Sequence, residues 1–327
     1  MKAIVIQTDK GLKWQDVENP IMKNGEVLIK VHAAAVNRAD LMQREGTYPP
    51  PPGCPEWPGL EVAGVIADMS PDAVSKGRFN IGDEVCALLG GGGYAEYVAV
   101  EECMVMPKPA GISMEEAAAL PEAFATAYLN LFIEGGAKAG YNFLMHAGAS
   151  GLASVIIPMA KAFGMRVITT VLSEEMANSI KHLNADVVVD TSKESIVDVL
   201  AREASEGRPL NLAIDCLGSE RVGECFPHLA YGCRWIMIAT LAGDISPVNM
   251  RTMYVKNIRL IGSTLRSKTP EMKGEILAKL VKDIWPKVES GEIRPTIYEI
   301  LPIEQAEAAH DLLYSGRSAG KVVLTVK

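Results

Sequence analysis

Hydrophobic and polar positions change their rhythm about a third of the way along the chain. The first hundred residues carry short runs with a two-residue period: Met1–Gln7, Gly25–His32 (GEVLIKVH), Val62–Asp68, Ile81–Leu88 and Tyr94–Val100. Gly and Pro separate them, so they predict short strands of a compact barrel or sandwich, with one helix at Arg38–Arg44. An Ala-rich helical segment follows at Ser113–Glu134, broken at Pro121. From Asn142 strands and helices alternate. The strands are Phe143–Met145, Arg166–Val171, Asp186–Asp190, Asn211–Asp215, Trp235–Ile238 and Ile258–Ile261; the helices include one through Ile156, Met159 and Phe163, then Ser173–Leu183 and Lys193–Glu206. This alternation predicts βαβ units and a parallel sheet. The pattern then changes again: a long amphipathic helix at Glu271–Glu289, a strand at Thr296–Ile300, a helix at Ile303–Ser315 and a last strand at Lys321–Val326.

The stretch between the first strand of the alternating region and its helix is chemically the most specific. It reads Gly148-Ala149-Ser150-Gly151-Leu152-Ala153, an imperfect G-x-G-x-x-G/A with Ser150 at the second glycine position. Small residues between a strand and a helix let a pyrophosphate approach free backbone N–H groups and the positive end of the helix dipole. The same turn also serves simply to pack a helix on a sheet; its position after the first strand of a βαβ run favours the dinucleotide reading.

Composition narrows the classes. At 327 residues two domains are expected, and 48% hydrophobic with 22% charged residues is ordinary globular usage. A formal charge of -8 argues against nucleic-acid or anionic-membrane binding. No apolar run reaches the roughly 18 residues of a membrane span, and the first residues read as a strand, not a cleavable signal. The six cysteines form no C-x-x-C and no cluster with His, which fits free thiols in the cytoplasm.

Val36–Gly64 holds the remaining candidates. The run Pro49–Pro52 must be extended and makes a stiff loop. At its base Tyr48 is either a half-buried packing residue or a hydroxyl donor. Asn37 either closes a turn or orients a ligand. Asp40 reads as an N-terminal helix charge.

Taken in order, AAAVNRADLMQREGTYPPPPG, PGLEVAGVI, GDEVCALLGGGGYAEYV, EAAALPEAFATAYLNLF, HAGASG, LNADVVVD, DCLG, GSTLRS and AGKVVL resemble the zinc-free quinone oxidoreductases of the medium-chain dehydrogenase/reductase superfamily. They stand nearer the branch that includes the p53-inducible quinone oxidoreductase. The resemblance implies an α/β protein: a Rossmann doubly wound parallel sheet at residues 123–263, and a GroES-like β-barrel domain built from residues 1–122 and 264–327. NADPH, with NADH as the alternative, would lie in the cleft between them. The resemblance also implies a homodimer formed through the sixth-strand region Asn257–Leu265.

By the same resemblance Tyr48 and Asn37 are the catalytic candidates. Asn37, Tyr48, Thr126, Gly148, Ala149, Ser150, Gly151, Leu152, Ala153, Ser173, Leu217, Gly218, Ala239, Thr240, Leu241, Leu265 and Lys321 would meet the cofactor. Taken alone, Lys321 reads as a solvated surface lysine. Zinc members carry a Cys near the place of Asn37 and a His at the place of Leu60, so no metal site is expected. An NAD enzyme wants Asp or Glu at the end of the second strand, where Thr170, Val171 and Leu172 stand; this favours NADPH. Met176 and Thr191 depart from the lysine and tyrosine that relatives use near the 2′-phosphate.

The expected reaction is hydride transfer to a quinone. An enone or enoyl-thioester reductase is a second reading, and a cofactor binder without turnover a third.

Overall fold

The computed structural model describes residues 1–219, 221–316 and 318–327. In chain order the first strands are β1 Lys2–Ile6, β2 Leu12–Asp16, β3 Glu26–Ala35, β4 Glu61–Met69, β5 Glu84–Leu88, β6 Tyr97–Glu101 and β7 Val105–Pro107. Then come β8 Asn142–Met145, β9 Arg166–Val171, β10 Val187–Asp190, β11 Leu210–Asp215, β12 Leu229–Met237 and β13 Arg259–Gly262, with β14 Ile297–Pro302 and β15 Lys321–Thr325 last. The helices are α1 Arg38–Arg44, α2 Pro71–Lys76, α3 Met114–Ala118, α4 Pro121–Tyr128, α5 Ala153–Ala162 and α6 Glu174–Ser179. They continue with α7 Ile196–Ser205, α8 Val222–Cys225, α9 Met250–Val255, α10 Pro270–Glu289 and α11 Ala306–Tyr314.

The chain divides into two compact units, Met1–Ala125 with Arg266–Lys327, and Thr126–Leu265. The division falls at 125/126 and 265/266, against the expected 122/123 and 263/264.

In the first unit a seven-stranded sheet runs β14-β15-β3-β4-β5-β7, with β6 on β3. The C-terminal strand β15 therefore lies beside β3, pairing Leu324 with Ala34. Along β3 the alternation of Val27, Ile29, Val31 and Ala33, all essentially buried, sends one face to the core. Gly64 in β4 has no room for a side chain, because a Cβ there would run into the Lys30 carbonyl of β3.

The second unit is a six-stranded parallel sheet of order β10-β9-β8-β11-β12-β13. Its core packs Leu144, Ile168, Ala213 and Trp235 from the strands against Val199 and Leu200 of α7 and Phe226. Neighbours β8 and β11 are where the strand order reverses, the position at which open α/β sheets take ligands.

Several expected elements are shorter or divided. Ser173–Leu183 is α6 followed by a single 3-10 turn at Lys181–Leu183, and Ile303–Ser315 is likewise a 3-10 turn before α11. The expected strand Tyr94–Val100 begins only at Tyr97, because Tyr94 is a buried loop residue whose carbonyl accepts from Ile4 N. Ile81–Leu88 begins at Glu84, after the turn that carries Gly82. Ser113–Glu134 is three pieces: α3 with its Ser113 capping box, α4 with Pro121 at its first position, and a wider π turn at Leu129–Glu134. The sequence reading missed α2, which Ser70 caps by accepting from Ala73 N and which is too short to show a period.

The close approach at Gly64 is testable against Gly262, where an added Cβ meets nothing within 4 Å. Gly64→Ala is expected to cost about 2 kcal/mol or more in urea unfolding. Gly262→Ala should change stability by less than about 0.5 kcal/mol.

Candidate active site

The second unit gathers its candidates at the C-terminal ends of its strands. Gly148–Ala153 follow β8, Ser173 follows β9, Leu217 and Gly218 follow β11, Ala239, Thr240 and Leu241 follow β12, and Leu265 follows β13. The turn after β8 is pinned to β9: Gly148 N donates to Thr170 O at 2.8 Å, and Ala147 N to Thr170 Oγ1 at 3.2 Å. A Cβ on Gly148 would sit 2.5 Å from Thr169 Oγ1, so this glycine is what lets the turn close on β9.

The turn leaves donors over. Ser150 N donates to Ala147 O at 2.9 Å, and Ala153 N to Ser150 Oγ at 3.1 Å. Among the described residues the N–H groups of Ala149, Gly151 and Leu152 have no protein acceptor. They stand at the N-terminus of α5, where helix and loop N–H groups favour an anion. The residues present therefore fit a dinucleotide's diphosphate, although Ser150 has only its hydroxyl hydrogen left to offer.

A buried carboxylate positions the next turn. Asp215 Oδ1 accepts from Leu217 N at 2.8 Å and Gly218 N at 3.0 Å, and Oδ2 from Trp235 Nε1 at 3.0 Å. The loop after β12 is stitched to that turn by Leu241 N to Cys216 O and Ala242 N to Leu217 O. Thr240 Oγ1 donates to Asp244. Thr126, in α4, accepts at its carbonyl from Asn130 Nδ2.

At the end of β9 the structure adds a residue that the sequence reading overlooked. Ser173 caps α6 by accepting from Met176 N, and Thr191 Oγ1 donates to Val171 O. Lys193 Nζ reaches Glu174 at 2.6 Å and Asp190 at 3.7 Å, which sets this cation beside the residue that follows Ser173.

In the first unit Lys321 is 3% exposed and Glu61 is fully buried, and their charged groups lie 2.6 Å apart. The reading of Lys321 as a solvated surface residue is thereby overturned. Asn37 completes the pair: its Oδ1 accepts from Lys321 Nζ at 2.6 Å and its Nδ2 donates to Glu61 Oε1 at 2.9 Å. Glu61 Oε2 accepts from Glu122 N at 2.8 Å. The amide of Asn37 is thus held between a buried cation and a buried anion.

Asp40 is also more than a helix-start charge. It is fully buried and closes a capping box for α1. It accepts from Asn37 N at 2.7 Å, Gly59 N at 2.9 Å and Tyr94 OH at 3.3 Å. Burial pushes its pKa up to about 6, against the lowering pull of the Asn37 and Gly59 amides and of Lys321. On the other side of Tyr94, burial and then the Arg44 charge push His310 down to about 3, so it is neutral.

Tyr48 is not bonded to this network. The Arg266 guanidinium carbon lies 4.0 Å from its ring centroid, and Arg266 Nη2 donates to Pro49 O at 3.1 Å and Gly90 O at 3.3 Å. Among the described residues the Tyr48 hydroxyl has no protein hydrogen bond. Arg266 was another residue missed; its signal, a cation directly after Leu265, is too common to read unaided.

Two family models match the chain: the alcohol dehydrogenase GroES-like domain over residues 23–110 and the zinc-binding dehydrogenase model over residues 151–282. A quinone oxidoreductase of Mus musculus is 31% identical over 317 residues, covering 96% of this chain and 93% of the relative. This chain belongs to the quinone oxidoreductase family. That family lies within the medium-chain dehydrogenase/reductase superfamily. A 2-methylene-furan-3-one reductase of Solanum lycopersicum is 31% identical over 319 residues, covering 94% of this chain and 74% of the relative. The solved quinone oxidoreductase of Thermus thermophilus, studied also as its NADPH complex, superposes with TM-score 0.82 at 30% identity over the whole of both chains. Although one matching model is named for zinc, no group of three or more His, Cys, Asp or Glu able to hold a metal occurs among the described residues.

The sign of the Asp40 effect on stability follows from its raised pKa. The folded state favours the neutral carboxyl, so this contribution is full below about pH 3.8 and is lost as pH rises through about 6. Its size is about 3 kcal/mol at roughly 1.4 kcal/mol per pH unit. Urea unfolding of wild type and Asp40→Asn at pH 4 and pH 7 checks it. The penalty of the substitution should be smaller at pH 7 by about 2 kcal/mol, because part of the contribution is already lost at pH 4.

Proposed function

We propose that this protein reduces quinones with NADPH and without zinc. The observation that carries the proposal is the set of unpartnered N–H groups at Ala149, Gly151 and Leu152, in a chain that matches quinone oxidoreductases along nearly its full length. NADPH, when bound, supplies a hydride; with one proton this converts a quinone to its hydroquinone. A quinone is electron-poor enough to accept hydride without a Lewis acid, so the protein's work is to position, to exclude water and to meet the oxygen that gains charge. Tyr48 takes the last role, with a hydroxyl not committed to the protein and a ring held by Arg266. Asn37 and Lys321 are positioning residues in this reading, since their polar groups already face one another and Glu61. Asn37, Tyr48, Thr126, Ser173, Leu217, Gly218, Ala239, Thr240, Leu241, Leu265 and Lys321 remain the proposed cofactor contacts beside Gly148–Ala153.

NADPH is preferred over NADH because no carboxylate ends β9: Leu172 is exposed there and Ser173 caps α6. A homodimer is proposed through β13, an edge strand whose own Leu260 is exposed, with Tyr254 and Val255 exposed just before it. A cytoplasmic location agrees with six free cysteines, and no helix among the described residues is long and apolar enough to cross a membrane. An enone reductase is the second reading, favoured by the likeness to the 2-methylene-furan-3-one reductase.

Turnover of 1,2-naphthoquinone, 1,4-benzoquinone and crotonyl-CoA by chelator-treated enzyme separates the readings. Quinone reduction with NADPH, unaffected by the chelator and faster than with NADH, is expected. Tyr48→Phe should lower kcat/KM by about 10²-fold. Activity on crotonyl-CoA alone would favour the second reading, and cofactor binding without any turnover a binding protein.

A further inference from the structure

The opposite edge of the parallel sheet carries a second polar cluster that the reaction does not use. A cleft of about 150 Å³ opens at the N-terminal ends of the strands and is lined by Lys138, Tyr141, Asn211, Arg234 and Arg259, with glycines between them. Strand register puts Arg234 of β12 directly beside Arg259 of β13. Like charges at neighbouring strand positions repel. No Asp or Glu lines the cleft, and among the described residues none of the three cations has an ion-pair partner. Arg234 Nη1 donates to the carbonyl of Glu134 at 2.6 Å, which fixes the guanidinium at the end of the π turn and leaves its other N–H groups free of that bond. Asn211 accepts through Oδ1 from Asn142 N at 2.9 Å, so its amide nitrogen remains as a donor. Three cations, an amide donor and a phenol therefore converge on a space with no protein anion in it.

We propose that this cleft is a binding site for a phosphate dianion, free or as a small terminal monoester, separate from the diphosphate cradle at the other edge of the sheet. Arg234 and Arg259 supply paired N–H groups to its oxygens, a geometry in which guanidinium outperforms ammonium, and Lys138 adds a point charge. Binding relieves the repulsion between the arginines. The volume suits an anion of a few heavy atoms and is far below that of a dinucleotide.

The test compares wild type with Lys138→Gln/Arg259→Gln and with Lys138→Gln alone; Lys138 and Arg259 are exposed, and neither belongs to the cofactor cradle. Thermal unfolding is followed against inorganic phosphate and glycerol phosphate at constant ionic strength, with chloride as control, and crystals of wild type are soaked in phosphate. The expected result is a rise in Tm with phosphate, a midpoint raised at least about tenfold in the double variant and less in the single one, and phosphate against Arg234 and Arg259 in the crystal. NADPH affinity should be equal in all three proteins. A monoester effect without a free-phosphate effect would still support the site. The same phosphate response in wild type and double variant would overturn the proposal, as would phosphate found only at Gly148–Ala153 or NADPH binding lost together with the phosphate response.

Discussion

A lysine and a glutamate buried side by side govern the first unit. Removing two such charges from water carries a penalty of several kcal/mol for each, so the pair needs further hydrogen bonds beyond its own contact. Lys321 and Glu61 hold each other at 2.6 Å, Asn37 bonds to both, and the amide of Glu122 takes the second carboxylate oxygen. These groups come from β15, the start of β4, the cap of α1 and the start of α4. The C-terminal strand is therefore tied to the N-terminal sheet by this pair as well as by its ladder, and the unit is built from both ends of the chain.

A buried carboxylate also fixes two of the loops that carry candidate residues. Asp40 gathers the amides of Asn37 and Gly59 and the hydroxyl of Tyr94. In the other unit Asp215 gathers Leu217 N, Gly218 N and the Trp235 indole. Each is a buried carboxylate whose acceptor capacity is taken up by backbone N–H groups of a turn, so displacing the turn would leave a charge without partners in low dielectric. The candidate residues thus stand on turns fixed from beneath. The donors that have no such partner, at Ala149, Gly151 and Leu152, are the ones free to face a ligand.

The alternation of strands and helices after Asn142 was legible because β8, β9 and β11 are apolar and β-branched runs buried on both faces, and because α5 and α7, at ten residues each, are long enough to show a period. The Gly148–Ala153 turn was legible from small residues at fixed spacing. Other features were not. A six-residue helix such as α2 shows no period, and the π turn at Leu129–Glu134 has no composition of its own. The burial of Lys321 depends on Glu61, far away in sequence, and nothing local separates a buried lysine from a solvated one. Arg266 and Lys193 escaped for the same reason: what singles them out is what they touch, Tyr48 in one case and Glu174 in the other.

A double-mutant cycle on Glu61→Gln and Lys321→Met, followed by urea unfolding at pH 7, tests the governing interaction most directly. Each single change leaves one buried group without its partner and is predicted to destabilise by about 3–5 kcal/mol. The double change should lose clearly less than the sum, by at least about 2 kcal/mol, because no charge is then left unpaired. Losses that simply add, or single variants within about 0.5 kcal/mol of wild type, would show that the pair does not hold the two chain ends together.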